Sequence, residues 1–124
     1  MKVLHRAGLE GASLLRVYTL AGDKVGKVSL AEALVRAARR NGLRGATVLP
    51  GLAGFGRHGL DLPLSVQLYR PERQPLVVEV VDAPERLERF VDQEVARLDR
   101  WGRLATLERL RLHAYHATPD DAEG

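Results

Sequence analysis

The sequence contains no cysteine, one methionine and one tryptophan, and aromatic side chains make up only 5% of it. The absence of cysteine excludes disulfides and thiolate metal sites and is compatible with a reducing compartment. The chain also lacks an apolar run near the roughly 20 residues needed to span a bilayer, and its start lacks the apolar segment of a secretory signal. We therefore expect a cytoplasmic protein that is not inserted in a membrane.

Charge of either sign is not in large excess. Nineteen basic residues face sixteen acidic ones, and lysine occurs only at positions 2, 24 and 27. A duplex-binding protein should carry a basic stripe, whereas these arginines alternate with Glu and Asp along both predicted helices. We therefore predict no nucleic-acid partner. With 124 residues, of which 45% are hydrophobic, the composition is that of one globular domain.

Hydrophobic periodicity predicts a single domain over residues 13–116, between a flexible lead over 1–12 and an acidic tail over 117–124. The pattern favours strands over 13–20, 44–49, 62–69, 76–82 and 106–115. One helix should begin at the capping box Ser29-Leu-Ala-Glu32 and end at Asn41-Gly42. A second should begin with Pro84 in its first turn and end near Trp101.

This order of elements is typical of the α+β ferredoxin-like fold, βαββαβ, with an antiparallel sheet and two helices on one face. Two helices cover only one face, yet the apolar strand over 76–81 needs both faces buried. We infer that a second copy of the chain supplies the other cover. Glu79, the one charged residue in that strand, should pair with Arg16, because an unpaired buried carboxylate is costly.

The stretch from Gly45 to Gly59 holds five of the twelve glycines. It is not a Walker A loop, because no Gly-Lys-Ser/Thr follows, and a strand pattern rather than a helix follows Gly54-x-Gly56-x-x-Gly59, against a dinucleotide fingerprint. Two interpretations remain: exposed amides and Arg57 bind an anion, or the segment is a solvated loop. His113 and His116 should point to opposite faces of a strand, so we predict no metal site.

Several short motifs resemble the PII signalling superfamily, and more closely its PII-like family known as domain of unknown function one-ninety, here the one-ninety family. They include Leu15-Arg16-Val17-Tyr18, Asp23-Lys24, Gly26-Lys27, Gly45-Ala46-Thr47-Val48-Leu49, Gly54-Phe55-Gly56-Arg57 and Pro75-Leu-Val-Val-Glu-Val-Val-Asp82. The resemblance covers about residues 13 to 113. It implies a trimer in which three sheets pack face to face around an axis.

The resemblance also implies that adenine nucleotides bind in clefts between subunits, at the base of a long mobile loop, here about 51–75, that contacts a transporter, channel or enzyme. Carried over by position, the ligand-binding residues are Thr47, Gly54, Phe55, Gly56, Arg57, His58 and Arg103. The Gly-Asp-Gly-Lys that PII proteins carry after the second helix is absent, and Arg103 stands in place of its lysine. AMP or ADP is therefore favoured over ATP as the effector, and no cofactor is required.

Two other functions compete with this nucleotide-responsive regulator. The first is a small oligomeric enzyme acting on an anionic metabolite, with Arg57 as its anchor and His58 as general acid or base. The second is a trimeric adaptor that binds a membrane channel without any ligand. We expect a regulator and not an enzyme, because no nucleophile with an adjacent base can be assembled from the sequence.

Overall fold

The computed structural model describes residues 11–52, 54 and 70–113. Four strands, β1 (Gly11–Leu20), β4 (Gly45–Pro50), β5 (Pro75–Asp82) and β6 (Ala105–Arg111), form an antiparallel sheet in the order β4-β5-β1-β6. Two further strands, β2 (Lys24–Val25) and β3 (Val28–Ser29), make a small hairpin beside it. Its turn begins at Gly26, whose φ of 63° favours glycine.

Strand boundaries differ from the sequence pattern at both ends of the sheet. β1 begins at Gly11, so the last two residues of the predicted lead belong to the strand, where Gly11 pairs with Arg111 and Ala12 with Leu110. Two small residues carry no alternation, which is why the pattern missed them. β6 ends at Arg111, and the predicted strand over 62–69 lies outside the described residues, as do 1–10 and 114–124.

Helix α1 (Leu30–Arg40) begins where the capping pattern predicts. The Ser29 hydroxyl accepts a hydrogen bond from the Glu32 amide at 3.0 Å, and the Glu32 carboxylate pairs with Arg36 at 3.0 Å. Every residue of the predicted apolar face is buried: Leu30, Ala33, Leu34, Ala37 and Ala38. The helix ends at Asn41, and Gly42 follows with a φ of 66°.

Helix α2 consists of three consecutive segments: Pro84–Phe90, the π-helical Val91–Val95, and Ala96–Leu98. Pro84 occupies the first turn, as predicted, after an N-cap at Ala83. No sequence pattern indicated the π-helical segment, which is recognised only by its hydrogen bonds. The predicted inward residues are buried at Leu87, Phe90 and Val95 and half-buried at Val91 and Leu98.

Both helices pack on the same face of the sheet, so the ferredoxin-like α+β fold is confirmed. Leu15 and Val17 of β1 and Val78 and Val80 of β5 face the helices, and none is more than 1% exposed. Burying each of these side chains stabilises the fold by about 2 kcal/mol. Among the described residues, no helix has both the length and the apolar character needed to cross a membrane.

The other side of the sheet, called the open face here, is not covered by either of the described helices. It carries alternate residues of the same strands, among them Leu49, Tyr18, Val77 and Val81. Leu49 is 45% exposed and Tyr18 39% exposed, while both valines are half-buried. The described helices therefore cover β5 on one face only, although Leu14, opposite Val81 on the open face, is 8% exposed.

Candidate functional site

The glycine-rich stretch leaves the sheet at the end of β4, where β4 and β5 run antiparallel. After the last pair, Pro50 opposite Leu76, the Gly51 amide still donates to the Pro75 carbonyl at 2.8 Å. A Cβ on Gly51 would stand 3.1 Å from the Pro75 Cβ, so a side chain there would crowd the proline ring. The two described ends of the 51–75 loop thus meet in one closed base.

Three of the seven predicted ligand-binding residues lie in the described part of the chain. Thr47 is exposed on the open face, directly opposite Glu79. Gly54 is half-buried, and a Cβ built on it would lie 3.9 Å from the Pro75 ring. The third is Arg103. The other four, Phe55, Gly56, Arg57 and His58, lie outside the described residues, and their contacts with a ligand stay predictions.

Arg103 lies in the segment that connects α2 to β6, and its guanidinium is held by Asp23. Its Nε donates to one carboxylate oxygen of Asp23 at 2.7 Å and its Nη2 to the other at 2.5 Å. The two side chains are only 15% and 5% exposed. A contact of Arg103 with phosphate stays a prediction, and any such contact must be reconciled with this ion pair.

Gly54 and Arg103 lie at the same end of the sheet, but Gly54 follows β4 and Arg103 precedes β6. The β4 end carries Gly54, whereas Arg103 precedes β6, and two strands, β5 and β1, separate them. Three strand spacings of about 4.8 Å put these edges about 14 Å apart. Gly54 itself lies beyond β4, against the ring of Pro75 at the start of β5.

A polar cluster lies on the open face beside Thr47. Arg16 donates from Nε to Glu79 at 2.9 Å and from Nη1 to Glu108 at 2.8 Å, so the predicted pairing of Glu79 with Arg16 is confirmed within one chain. The hydrogen bond to Glu79, with help from Glu108, raises the pKa of Arg16 above its ordinary value. The guanidinium stays charged at any pH that the fold meets.

The carboxylate of Asp82 has a structural role at the opposite end of β5. It is 6% exposed, accepts the Arg44 amide at 2.8 Å and the Ala83 amide at 2.6 Å, and pairs with Arg86 at 3.2 Å. These contacts tie the start of α2 to the segment before β4. A carboxylate with all of its partners inside the fold is a poor general acid or base.

A cavity of about 170 Å³ opens between α2 and β6, lined by Ser13, Pro84, Glu88, Leu107, Glu108 and Arg109. It lies toward the end of β1 that is remote from Gly54 and Arg103, and none of the predicted ligand-binding residues lines it. In the described part of the chain, no three or more His, Asp or Glu side chains converge as a metal-binding group.

The feature that sequence reasoning missed is the buried partner of Arg103. Asp23 stands in an Ala-Gly-Asp-Lys turn, and its local pattern indicates nothing beyond a turn. The pair joins residues 80 positions apart, so no spacing rule could find it. Co-variation between positions 23 and 103 is the signal that would have pointed to it.

Comparison with known proteins assigns this chain to a protein family. A family model described as an uncharacterized ACR, the domain of unknown function one-ninety, matches residues 3–112. The chain belongs to the one-ninety family. Two curated relatives carry the name UPF0166 protein: that of Methanocaldococcus jannaschii is 32% identical over 84 residues, 64% of this chain and 72% of the relative. That of Aquifex aeolicus is 29% identical over 80 residues, 64% and 75% of the two chains.

Solved structures similar to this one-ninety chain are PII-like proteins. A PII-like signaling protein from Thermus thermophilus is 19% identical, with a TM-score of 0.57 over 85% of this chain and 92% of that one. CPII, a nitrogen regulatory PII-like protein from Thiomonas intermedia bound to ADP, AMP and bicarbonate, is 13% identical, with a TM-score of 0.62 over 86% and 92%. At these identities the similarity establishes the fold alone, and the expected PII-like fold is confirmed.

Proposed function

We propose that this chain is a PII-like regulator that binds an adenine nucleotide, with AMP or ADP favoured, between subunits of a homotrimer in the cytoplasm. Nucleotide orders the loop over 51–75, which signals to a transporter, channel or enzyme, and the chain itself performs no catalysis. The observation that carries the proposal is the PII-like fold, shared over 86% of the chain with a protein whose structure holds ADP and AMP.

The open face supports assembly. Leu49 and Tyr18 are large apolar residues more than one-third exposed, and Val77 between them is only half-buried. An apolar sheet face of this kind calls for a protein cover, and a second and third copy of the chain supply one without a further component. Three copies would put three Arg16 clusters near a common axis.

The separation of the predicted ligand-binding residues supports a cleft between subunits. Within one chain these residues belong to opposite edges of the sheet, since Gly54 follows β4 and Arg103 precedes β6. In a ring of three, the β4 edge of one copy can lie beside the connection before β6 of the next. The predicted set Thr47, Gly54, Phe55, Gly56, Arg57, His58 and Arg103 then lines one cleft from two chains.

The test of ligand and assembly is calorimetric titration with AMP, ADP, ATP and cyclic AMP, together with sedimentation of the free protein. We expect heat with AMP or ADP, and a mass three times the 13.7 kDa of one chain. Hydrogen exchange over 51–70 should slow on binding, because a ligand shifts the loop only by its difference in affinity for the two loop states. No heat with any of the four nucleotides would refute the proposal.

A matched pair of variants tests the site. Arg57→Gln removes the cation predicted to bind phosphate, and we expect about tenfold weaker AMP binding, the value of one charge-assisted hydrogen bond. Arg39→Gln makes the same change on the exposed end of α1 and should leave the affinity unchanged. Equal effects of the two substitutions would show that Arg57 acts through net charge alone.

A further inference from the structure

The guanidinium of Arg103 already has an anion bound to it, and that anion belongs to the protein. Asp23 offers both carboxylate oxygens to the Nε and Nη2 edge of Arg103, at 2.7 and 2.5 Å. Phosphate uses the same bidentate geometry when it binds arginine. Asp23 therefore occupies one of the two edges at which this guanidinium can bind a phosphate in that way.

Other contacts hold both partners in place. The Asp23 carboxylate also accepts the Leu20 amide at 2.9 Å, and its backbone carbonyl accepts the Leu30 amide at 2.7 Å, at the start of α1. On the other side, Asp99 accepts the Arg103 amide at 2.8 Å and the Trp101 amide at 3.0 Å. The ion pair thus joins two ordered segments, the turn after β1 and the connection between α2 and β6.

The turn that carries Asp23 also contacts the base of the 51–75 loop. The Gly22 amide donates to the Glu72 carbonyl at 2.9 Å, and the Ala21 amide donates to the Gln74 carbonyl at 2.8 Å. A Cβ on Gly22 would stand 2.8 Å from the Glu72 carbonyl oxygen, so only glycine allows this approach. Movement of the turn must therefore disturb the described end of the loop.

We propose that Asp23 is a built-in competitor for Arg103, so that a nucleotide phosphate binding Arg103 displaces Asp23 and loosens the turn that holds the loop base. The inference rests on the proposed nucleotide site and adds to it a route from ligand to loop. A carboxylate 5% exposed cannot stay in place once its cation binds another anion, because an unpaired buried charge is costly. Displacement of Asp23 and binding of phosphate are then one linked event.

The decisive variant is Asp23→Asn, which keeps the side-chain shape and an acceptor for the Leu20 amide but removes the competing charge. We expect AMP to bind about tenfold more tightly than to the wild type, the value of one charge-assisted contact. Asp92→Asn makes the same change on an exposed part of α2 and controls for net charge. Tighter binding in both variants equally, or weaker binding in Asp23→Asn alone, would overturn the inference.

A measurement on the wild type covers the case in which Asp23→Asn fails to fold. The Leu20 amide is bonded to the Asp23 carboxylate, so AMP should speed its hydrogen exchange, whereas the Leu43 amide, bonded to the Ala38 carbonyl, should not respond. Unchanged exchange at Leu20 with AMP bound would also overturn the inference.

Gly22→Ala tests the second half of the route. We expect this variant to bind AMP but to lack the faster amide exchange at Glu72, Arg73 and Gln74 that AMP causes in the wild type, because the turn and the loop base are already forced apart. A response equal to that of the wild type would refute the link through Gly22.

The outcomes separate this inference from the proposed function. If the wild type binds AMP and Asp23→Asn binds it no better, competition by Asp23 is wrong while the nucleotide site stands. If only Asp23→Asn binds AMP, the carboxylate is an autoinhibitory group and the inference is supported. If neither protein binds any nucleotide, both proposals fail.

Discussion

The two faces of the sheet are made by the same strands yet differ in how far one chain completes them. On β5, Val78 and Val80 face the helices and are fully buried, whereas Val77 and Val81, one position away, are half-buried on the open face. The alternation of side chains along a strand assigns each valine to its face. Within the described residues, one face is thus a finished core, and the other keeps apolar side chains that are only partly buried.

The polar residues of the two faces differ as well. The helix face holds its polar contacts at the rim, where Thr19 donates to the Leu76 carbonyl at 2.8 Å. The open face carries the Arg16, Glu79 and Glu108 cluster in its middle, beside exposed Leu49. The helix face therefore contributes most to folding stability, whereas the open face is free to contact other copies of the chain. Unfolding and association measurements should respond to different residues.

The largest effect we expect comes from a cavity in the helix face. Leu15→Ala empties a site that is 1% exposed on a central strand and should lower the free energy of unfolding by about 3 kcal/mol. Leu49→Ala makes the same change on the open face, where the side chain is 45% exposed, and should cost less than about 1 kcal/mol.

Urea unfolding of the two variants at one low protein concentration measures both losses, because dilution removes any contribution from assembly. Equal losses of unfolding free energy in the two variants would contradict the view that the helix face alone supports folding.

The next effect concerns the open face alone. Leu49→Asp puts a charge where a second copy would bury it, and we expect the association constant to fall by at least about tenfold while the chain stays folded. Leu107→Asp is the matched control, since Leu107 is 50% exposed but lies opposite Leu15 on the helix side. Sedimentation over a range of concentrations measures both. Loss of association in both variants, or in neither, would remove the open face from the assembly.

Many features of the two sheet faces could be predicted from the sequence, because they depend on residues that are close together along the chain. The Ser29 cap of α1 and the apolar run of β5 each depend on neighbouring residues, and both elements were predicted correctly. The pairing of Glu79 with Arg16 followed from the cost of a lone carboxylate in an apolar strand. The first two residues of β1, Gly11 and Ala12, were missed because their small side chains give no hydrophobic alternation.

The candidate site was less predictable, because its contacts join distant segments. The placement of Gly54 at the end of β4 followed from a strand running into glycines. The pairing of Arg103 with Asp23 did not, since it depends on how the connection before β6 packs on the turn after β1. The π-helical segment of α2 could not be predicted either, because the apolar spacing along a helix does not show where one turn contains an extra residue.

A smaller effect should come from the cluster on the open face. Arg16→Gln leaves Glu79 and Glu108 without their cation, and we expect association to weaken about fivefold at low salt and less at high salt, where like charges are screened. Arg36→Gln breaks an ion pair on the surface of α1 and should leave association unchanged. The measurement is sedimentation at two salt concentrations. An effect that does not change with salt would contradict an electrostatic role.

The smallest effect lies in the helix layer and depends on pH. Glu94, in the π-helical segment, accepts from Arg97 at 2.6 Å and from Asn41 at the end of α1 at 2.7 Å. These hydrogen bonds, that from Arg97 above all, hold the pKa of Glu94 below its ordinary value. A lowered pKa stabilises the fold above the unfolded value of about 4.3, and the stabilisation is lost as pH falls through the folded value.

Glu94→Gln should therefore cost about 0.5 kcal/mol at pH 7, and its difference from the wild type should shrink as the pH falls through the folded pKa, where the wild-type carboxyl takes up a proton. Urea unfolding at pH 7, 5 and 3 measures the difference, with Glu88→Gln, exposed on the same helix, as the control. Because Glu94 lies in the helix layer, association through the open face should be the same in Glu94→Gln and the wild type at pH 7. A stability difference as large at pH 3 as at pH 7, or a change in association, would mean that Glu94 acts by something other than its charge on the helix side.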